Sequence, residues 1–426
     1  MIEDIAILTD IVFIALQFVV VFFTYHLLGR KISQPAVLFA AVWFLVLLLH
    51  FIFKFTLLKE LESLGENTYL IFLTGTICFS LGSVFTYVSY AKLGKSNNDP
   101  IVVVPHKINL SLRIICVSII TVALPFYIYA AFKIFLASQA EEFLSGLRYE
   151  LSYGDADIGP VKYFMPFAYV VYAASLYAYF FERSFVNKCL LIIAFIVLAV
   201  YAFFATGRTY FFMTLAVYFG VSFFANPLFS IQKQIAWIVL FISGFMLVGV
   251  LYGKGGNTQE SVSQNLQSAS EYTGVYIVCS LNALEQEIER NTATVKDGDN
   301  TLRFFRKLGM QLKLIPERQI PDIKQEFVFV PYPTNVYTYY SPYIRDFGKI
   351  YAWFMLAFFG GLHTLLFLKS QDLKSPKSIF YYSFLLFPLL LSFFGDQYLT
   401  LLSFWLQLIF FTELFFIINK FLSTRK

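Results

Sequence analysis

The chain has 426 residues, 58% of them hydrophobic, 20% aromatic and only 14% charged, with a net charge of +5. A soluble globular domain carries about 25% charged residues, so that class is excluded. So small a net charge also argues against a nucleic-acid surface and for cations placed by membrane topology or for phosphate.

Apolar stretches of 18 or more residues recur along the chain, each long enough to cross a hydrocarbon core of about 30 Å. The expected fold is all-α, a polytopic integral membrane protein. In chain order the spans fall at 5–28, 35–57, 69–91, 110–136, 163–181, 186–205, 209–226, 233–251, 350–368, 379–394 and 399–419, about 11 transmembrane helices. The first is led by the acidic residues Glu3, Asp4 and Asp10 and lacks a basic lead and a small-residue cleavage site, so it reads as a retained span. This divides the chain into a membrane domain over 1–251, a large external loop with short amphipathic helices over 252–349, and a second membrane domain over 350–426.

Every second connection is basic. Arg30 and Lys31 follow the first span, Lys92, Lys95, Lys107 and Arg113 the third, Arg183 and Lys188 the fifth, Lys233 the seventh, and Lys369, Lys374 and Lys377 the ninth. Lys420, Arg425 and Lys426 close the chain. These belong in the cytoplasm, which puts the N-terminus outside and the C-terminus inside.

The alternate connections then face outward: 141–161, the turn Thr206-Gly207-Arg208, the segment 252–349, and Phe394-Gly395-Asp396-Gln397. An arginine in a short external turn runs against the positive-inside bias, so Arg208 either snorkels to the interface or meets an anion. In the long segment, Tyr252 to Asn257 is Gly-rich but lacks the phosphate-loop spacing. A helix is expected over 268–290, and a second over 301–314 that sets Arg303, Arg306 and Lys307 on one face. That basic face suits anionic headgroups or a phosphate-bearing substrate. The stretch 331–348 gathers five tyrosines with Asn335, Arg345 and Asp346. Aromatic faces beside amide and hydroxyl groups suit sugar rings, although tyrosines also form interfacial belts.

Cys78, Cys116, Cys189 and Cys279 are far apart and fit neither a disulfide framework nor a metal-ligand spacing. His26, His50, His106 and His363 form no cluster. No metal and no cofactor is expected.

These residues carry a likeness. The turn Thr206-Gly207-Arg208, the run Thr334-Asn335-Val336-Tyr337-Thr338 leading to Asp346-Phe347-Gly348, and the order of many spans, a late large loop and a few closing spans resemble the oligosaccharide repeat-unit polymerases, the Wzy-type O-antigen polymerases. Where another glycine is expected after Gly348, Lys349, Ile350 and Tyr351 follow. The resemblance implies a metal-independent, GT-C-like membrane glycosyltransferase of the bacterial inner membrane. It would transfer a growing glycan from one polyprenyl-pyrophosphate carrier to another lipid-linked repeat unit on the outer side. Membrane lipids and a chain-length regulator protein would be its other partners, with no nucleic acid.

Within that chemistry, negative charge grows on the departing pyrophosphate, and fixed cations that meet it lower the barrier. Arg208 is the expected diphosphate clamp, supported by Arg303, Arg306 and Arg345, with Arg148 for the second lipid diphosphate. Asn335 and Tyr337 belong to the sugar-binding segment. Asp346 is the leading carboxylate to act on the acceptor hydroxyl, followed by Asp396, then Glu150 or Asp155; for each aspartate a plain ion pair, such as Asp346 with Arg345, is the alternative. A flippase fits poorly, because no repeat relates the two halves. An O-antigen ligase shares the donor and the architecture, and a membrane scaffold would leave the arginines unexplained.

Overall fold

The structure is a computed structural model and describes residues 2–92, 107–140, 143–154, 156–226, 229–230, 262–290, 298–317, 320, 325–371 and 376–424. The helices are α1 (Ile2–Leu27), α2 (Pro35–Phe55), α3 (Glu66–Lys92), α4 (Leu110–Ser138), α5 (Phe143–Tyr153), α6 (Phe164–Phe181), α7 (Phe185–Phe204), α8 (Arg208–Ala225), α9 (Val262–Glu289), α10 (Arg303–Gln311), α11 (Tyr340–Phe347), α12 (Lys349–Gln371), α13 (Pro376–Leu390) and α14 (Leu402–Thr424). The strands β1 (Val328–Phe329) and β2 (Pro333–Thr334) pair antiparallel, Val328 opposite Thr334. The protein is an all-α, multi-pass membrane protein. Among the described residues, eight helices are long and apolar enough to cross a bilayer, and the apolar part of α8, Thr209–Ala225, is shorter.

Each expected span that falls on described residues coincides with a helix; the largest shift is at α14, which runs on to Thr424. The expected eighth span, 233–251, and the Gly-rich run after it lie outside the described residues. Local chemistry sets several of the ends. Pro35 opens α2, where its missing N–H costs nothing. The Asn109 side chain caps α4 at the Leu112 amide, 3.3 Å away, and Ser184 caps α7 at the Asn187 amide, 3.2 Å away. Two elements depart from the sequence reading. The expected loop 141–161 contains α5, and the tyrosine-rich stretch before the ninth span contains α11.

The chain forms two compact units. One comprises Met1–Pro100, Ser270–Leu368 and Pro388–Leu402. In it α1, α2 and α3 pack on one another. Asp10, read in the sequence as an acidic lead, lies inside α1 and is fully buried. It accepts from the Tyr69 hydroxyl at 2.7 Å and from Ser63 at 2.9 Å, with the Lys54 ammonium 3.7 Å away. A carboxylate within a span survives by such pairing. α9 docks on the 56–65 connection through Leu58, Leu61, Val275, Val278 and Cys279. There the Asn282 amide donates to the Glu62 carbonyl at 3.0 Å and its oxygen meets His50 at 2.8 Å.

Close helix packing of the kind that small residues allow occurs about a dozen residues beyond Gly348. A Cβ on Gly360 would stand 2.0 Å from the Phe79 carbonyl oxygen, and one on Gly82 only 1.9 Å from that of Ala357. Both neighbours are backbone and cannot give way, so α3 and α12 touch only because these positions are glycine. Gly360→Val should therefore cost about 3 kcal/mol or more, the upper end for overpacking. It would be read as a lost folded peak in detergent size-exclusion chromatography, and a normal yield and unfolding midpoint would refute the contact.

The other unit comprises Ile101–Ala269, Lys369–Phe387 and Ser403–Lys426. Its centre is α6, which packs on α4, α7 and α8 and has 72% of its apolar window buried, against 28% for α14. The Tyr169 hydroxyl of α6 donates to the Tyr210 carbonyl at 2.6 Å and so fixes the start of α8.

Candidate functional site

The segment 334–348 is built into its unit from both sides. The Tyr340 ring lies across α2 and α3, 5.5 Å from the Trp43 ring and 5.5 Å from that of Phe72. It occupies the space a side chain on Gly75 would fill. The Tyr339 amide donates to the Ser392 carbonyl at 2.8 Å, which joins this segment to the 391–401 turn. Tyr339 and Tyr343 stack at 4.5 Å. Gly348 ends α11 at φ +82°, a left-handed conformation that favours glycine, and α12 starts at the next residue.

Asp346 does not pair with Arg345. Its carboxylate is fully buried and accepts from the Asn300 amide at 3.2 Å, the Asn300 side chain at 2.7 Å, and the Thr301 amide and hydroxyl at 2.7 Å each. The 298–302 turn that it holds leads directly into α10, which carries Arg303 and Arg306. The Arg306 Nε lies 3.7 Å from Asp299. On the same short helix Phe305 and Leu308 are exposed, as is Leu312 just after it.

Arg345 turns instead to Glu287, at the end of α9. Its Nε donates to one carboxylate oxygen at 2.6 Å and its Nη2 to the other at 3.0 Å. The Ser341 hydroxyl donates to the same carboxylate at 2.8 Å. Burial works against the guanidinium charge, and the Glu287 hydrogen bonds and field outweigh it, so the Arg345 titration is pushed up. The guanidinium also covers the Tyr337 ring at 5.3 Å. Tyr337 is buried, while Asn335 is half-buried and makes no hydrogen bond among the described residues.

Asp396 follows Gly395 in the 391–401 turn and is also buried. It accepts from the Tyr343 hydroxyl at 3.1 Å and from the Tyr398 and Thr400 amides at 2.9 Å each. Burial raises its carboxyl from 3.8 to about 6, against the lowering effect of those three donors. The folded protein thus holds this proton more tightly than the unfolded chain does. Its contribution to stability is greatest below about pH 4 and falls by about 3 kcal/mol as the pH rises through about 6, at ~1.4 kcal/mol per pH unit. Asp396→Asn should flatten that fall when unfolding midpoints in detergent are compared between pH 4 and 7. An unchanged slope would show that this carboxyl does not titrate as described.

The remaining expected residues lie in the other unit. Arg148 is half-buried on α5 with Glu150, and Asp155 lies outside the described residues. Arg208 is the first residue of α8, with only three residues between it and the end of α7, which bears out the tight turn; its side chain lies outside the description. Thr206 holds φ +56°, a strained conformation for a β-branched residue that costs about 1–3 kcal/mol. A Cβ on Gly207 would meet the Tyr210 ring at 2.8 Å.

The structure thus gathers Asn335, Tyr337, Arg345, Asp346 and Asp396 in one unit and leads from Asp346 to Arg303 and Arg306. Sequence reasoning missed their partners Glu287, Asn300, Thr301 and Tyr343. Glu287 stands at the polar end of a helix that the sequence did show, and that polarity was its one signal.

No family model matches the chain, and no solved structure matches it. It is 24% identical over 409 residues to a protein of Escherichia coli (strain K12) described as "Putative O-antigen polymerase", a match covering 94% of this chain and 95% of that relative. The resemblance to the Wzy-type repeat-unit polymerases, carried in the sequence by two short motifs and the order of spans, therefore runs along nearly the whole chain.

Proposed function

We propose that this protein polymerises oligosaccharide repeat units into a surface polysaccharide of the O-antigen kind. The observation that carries the reading is the match along 94% of the chain to a protein described as an O-antigen polymerase, on an all-α membrane framework. In the finer form of the proposal, donor and acceptor are both polyprenyl-pyrophosphate-linked, and the reaction takes place on the outer side of the bacterial inner membrane without a metal ion. The 252–349 segment lies outside, with the N-terminus outside and the C-terminus in the cytoplasm.

The energy for transfer then resides in the donor's glycosyl–pyrophosphate bond. As it breaks, Arg208 meets the charge that develops on the departing diphosphate. Two local features favour that role. Gly207, which precedes α8, offers no side chain to cap its first amides, and a helix N-terminus attracts anions. The strained Thr206 beside it is of the kind that persists where function requires it. Arg148 holds the second lipid diphosphate.

Both leading carboxylates have each oxygen hydrogen-bonded, Asp396 to Tyr343 and within its own turn; what sets Asp346 apart is that all its donors come from the 300–301 turn that leads into α10. We assign it a positioning role, holding the start of α10 so that Arg303 and Arg306 face the substrate. Asp396, which titrates at about 6, suits the acceptor proton at neutral pH. Asn335 and Tyr337 bind sugar, and Arg345, neutralised by Glu287, keeps Tyr337 in place.

The test is a gel of surface glycan from cells lacking this gene and complemented with it. A ladder of repeats restored by the wild-type gene supports the proposal. Long chains that form on the carrier without the gene but stay unattached would make the protein a ligase, and single units accumulating on the inner leaflet would make it a flippase.

A further inference from the structure

A pocket of about 290 Å3 opens where α4 begins and α6 ends, near the lower limit of the ~300–1,000 Å3 usual for small-molecule sites. Arg113, Lys107, Tyr177, Phe181 and Glu182 are in its wall. Arg113 is 3% exposed, and among the described residues its Nε and Nη1 donors have no acceptor. The Tyr177 hydroxyl is buried and likewise has no partner among the described residues. A fold seldom leaves a permanent charge buried with its donors unmet, because the desolvation is not repaid.

The mouth is different in character. Lys107 is 85% exposed and Glu182 is 59% exposed, and their charged atoms are 4.0 Å apart, a loose surface pair. Two cations against one carboxylate leave the wall with a single net positive charge. That balance matches a phosphodiester, which carries one negative charge. Position points the same way: Leu110 opens one membrane-crossing helix and Phe181 closes another, so the pocket stands where spans leave the hydrocarbon and lipid phosphates begin.

We infer that this pocket binds a phosphodiester anion, with Arg113 and Tyr177 donating to its oxygens and Lys107 screening the mouth, and that a lipid headgroup supplies it. The site uses none of the residues assigned to glycan transfer.

Full-length protein in a non-ionic detergent would be exposed to phosphatidylglycerol, to phosphatidylcholine with the same acyl chains, and to radiolabelled inorganic phosphate. Bound lipid is read by native mass spectrometry and bound phosphate by equilibrium dialysis. Phosphatidylglycerol should be retained about tenfold better than phosphatidylcholine, and Arg113→Gln should abolish the preference, as expected for a charge-assisted contact. Glu182→Gln removes the competing carboxylate and should strengthen retention about threefold, a gain that misfolding cannot imitate. Arg113-dependent binding of inorganic phosphate with no lipid preference would keep the anion site and overturn the headgroup as its source. If Arg113→Gln does not fold, the Glu182→Gln gain decides alone. Binding that neither substitution alters would overturn the inference.

Discussion

Arg208→Lys lowers the rate of glycan polymerisation by roughly 10²–10³-fold, as expected for removing one preorganised donor from a developing oxyanion. Charge alone is not what the clamp needs. A guanidinium offers a planar fork of donors to two phosphate oxygens at once, whereas an ammonium is a point charge on a flexible stem. The backbone around it is built for one geometry: Thr206 at φ +56°, and Gly207 with no room for a Cβ beside Tyr210. Arg208→Ala should lose more than the lysine variant. Both proteins should reach the membrane in normal amounts, which an immunoblot of the membrane fraction checks. A lysine variant with full activity would remove the assignment.

Glu287→Ala destabilises the protein by about 3–5 kcal/mol, the usual cost of stranding one partner of a buried ion pair. Arg345 is 23% exposed and Glu287 5%, so water replaces little of what is lost, and the buried Ser341 hydroxyl loses its acceptor as well. The unfolding midpoint in detergent should drop, and with it polymerisation, because Tyr337 loses the guanidinium that covers it. The double variant Glu287→Leu with Arg345→Met removes both charges and should recover most of the stability, since apolar replacement of a buried pair is close to neutral. Activity should return with it if Arg345 acts only by position. Recovered stability with no polymer would mean that Arg345 touches the substrate itself.

The helices were legible because lipid imposes a length and a composition that soluble folds do not. The first six residues of α9, by contrast, extend upstream of the expected start at 268 through mixed polar sequence, where periodicity is weak. α11 was hidden for a different reason. Its eight residues include Pro342 and three aromatic side chains and read as a loop, and only burial against Trp43, Phe72 and the 391–401 turn makes it a helix. At the site the sequence showed which residues carry chemistry but not which ones pair. Arg345 beside Asp346 reads as an ion pair, yet consecutive residues on a helix diverge by about 100°, so each found a distant partner. Glu287 lies 58 positions from Arg345, and Asn300 lies 46 from Asp346. Periodicity within a segment carries no information about such contacts.

The central claim is tested most directly by the purified protein in liposomes, given a polyprenyl-pyrophosphate-linked repeat unit and no nucleotide sugar. The account predicts a ladder of polymers on the carrier, formed with a chelator present and absent in the Arg208→Ala protein. A substrate that remains a single unit with wild-type protein, in liposomes where a related polymerase extends it, would contradict the account.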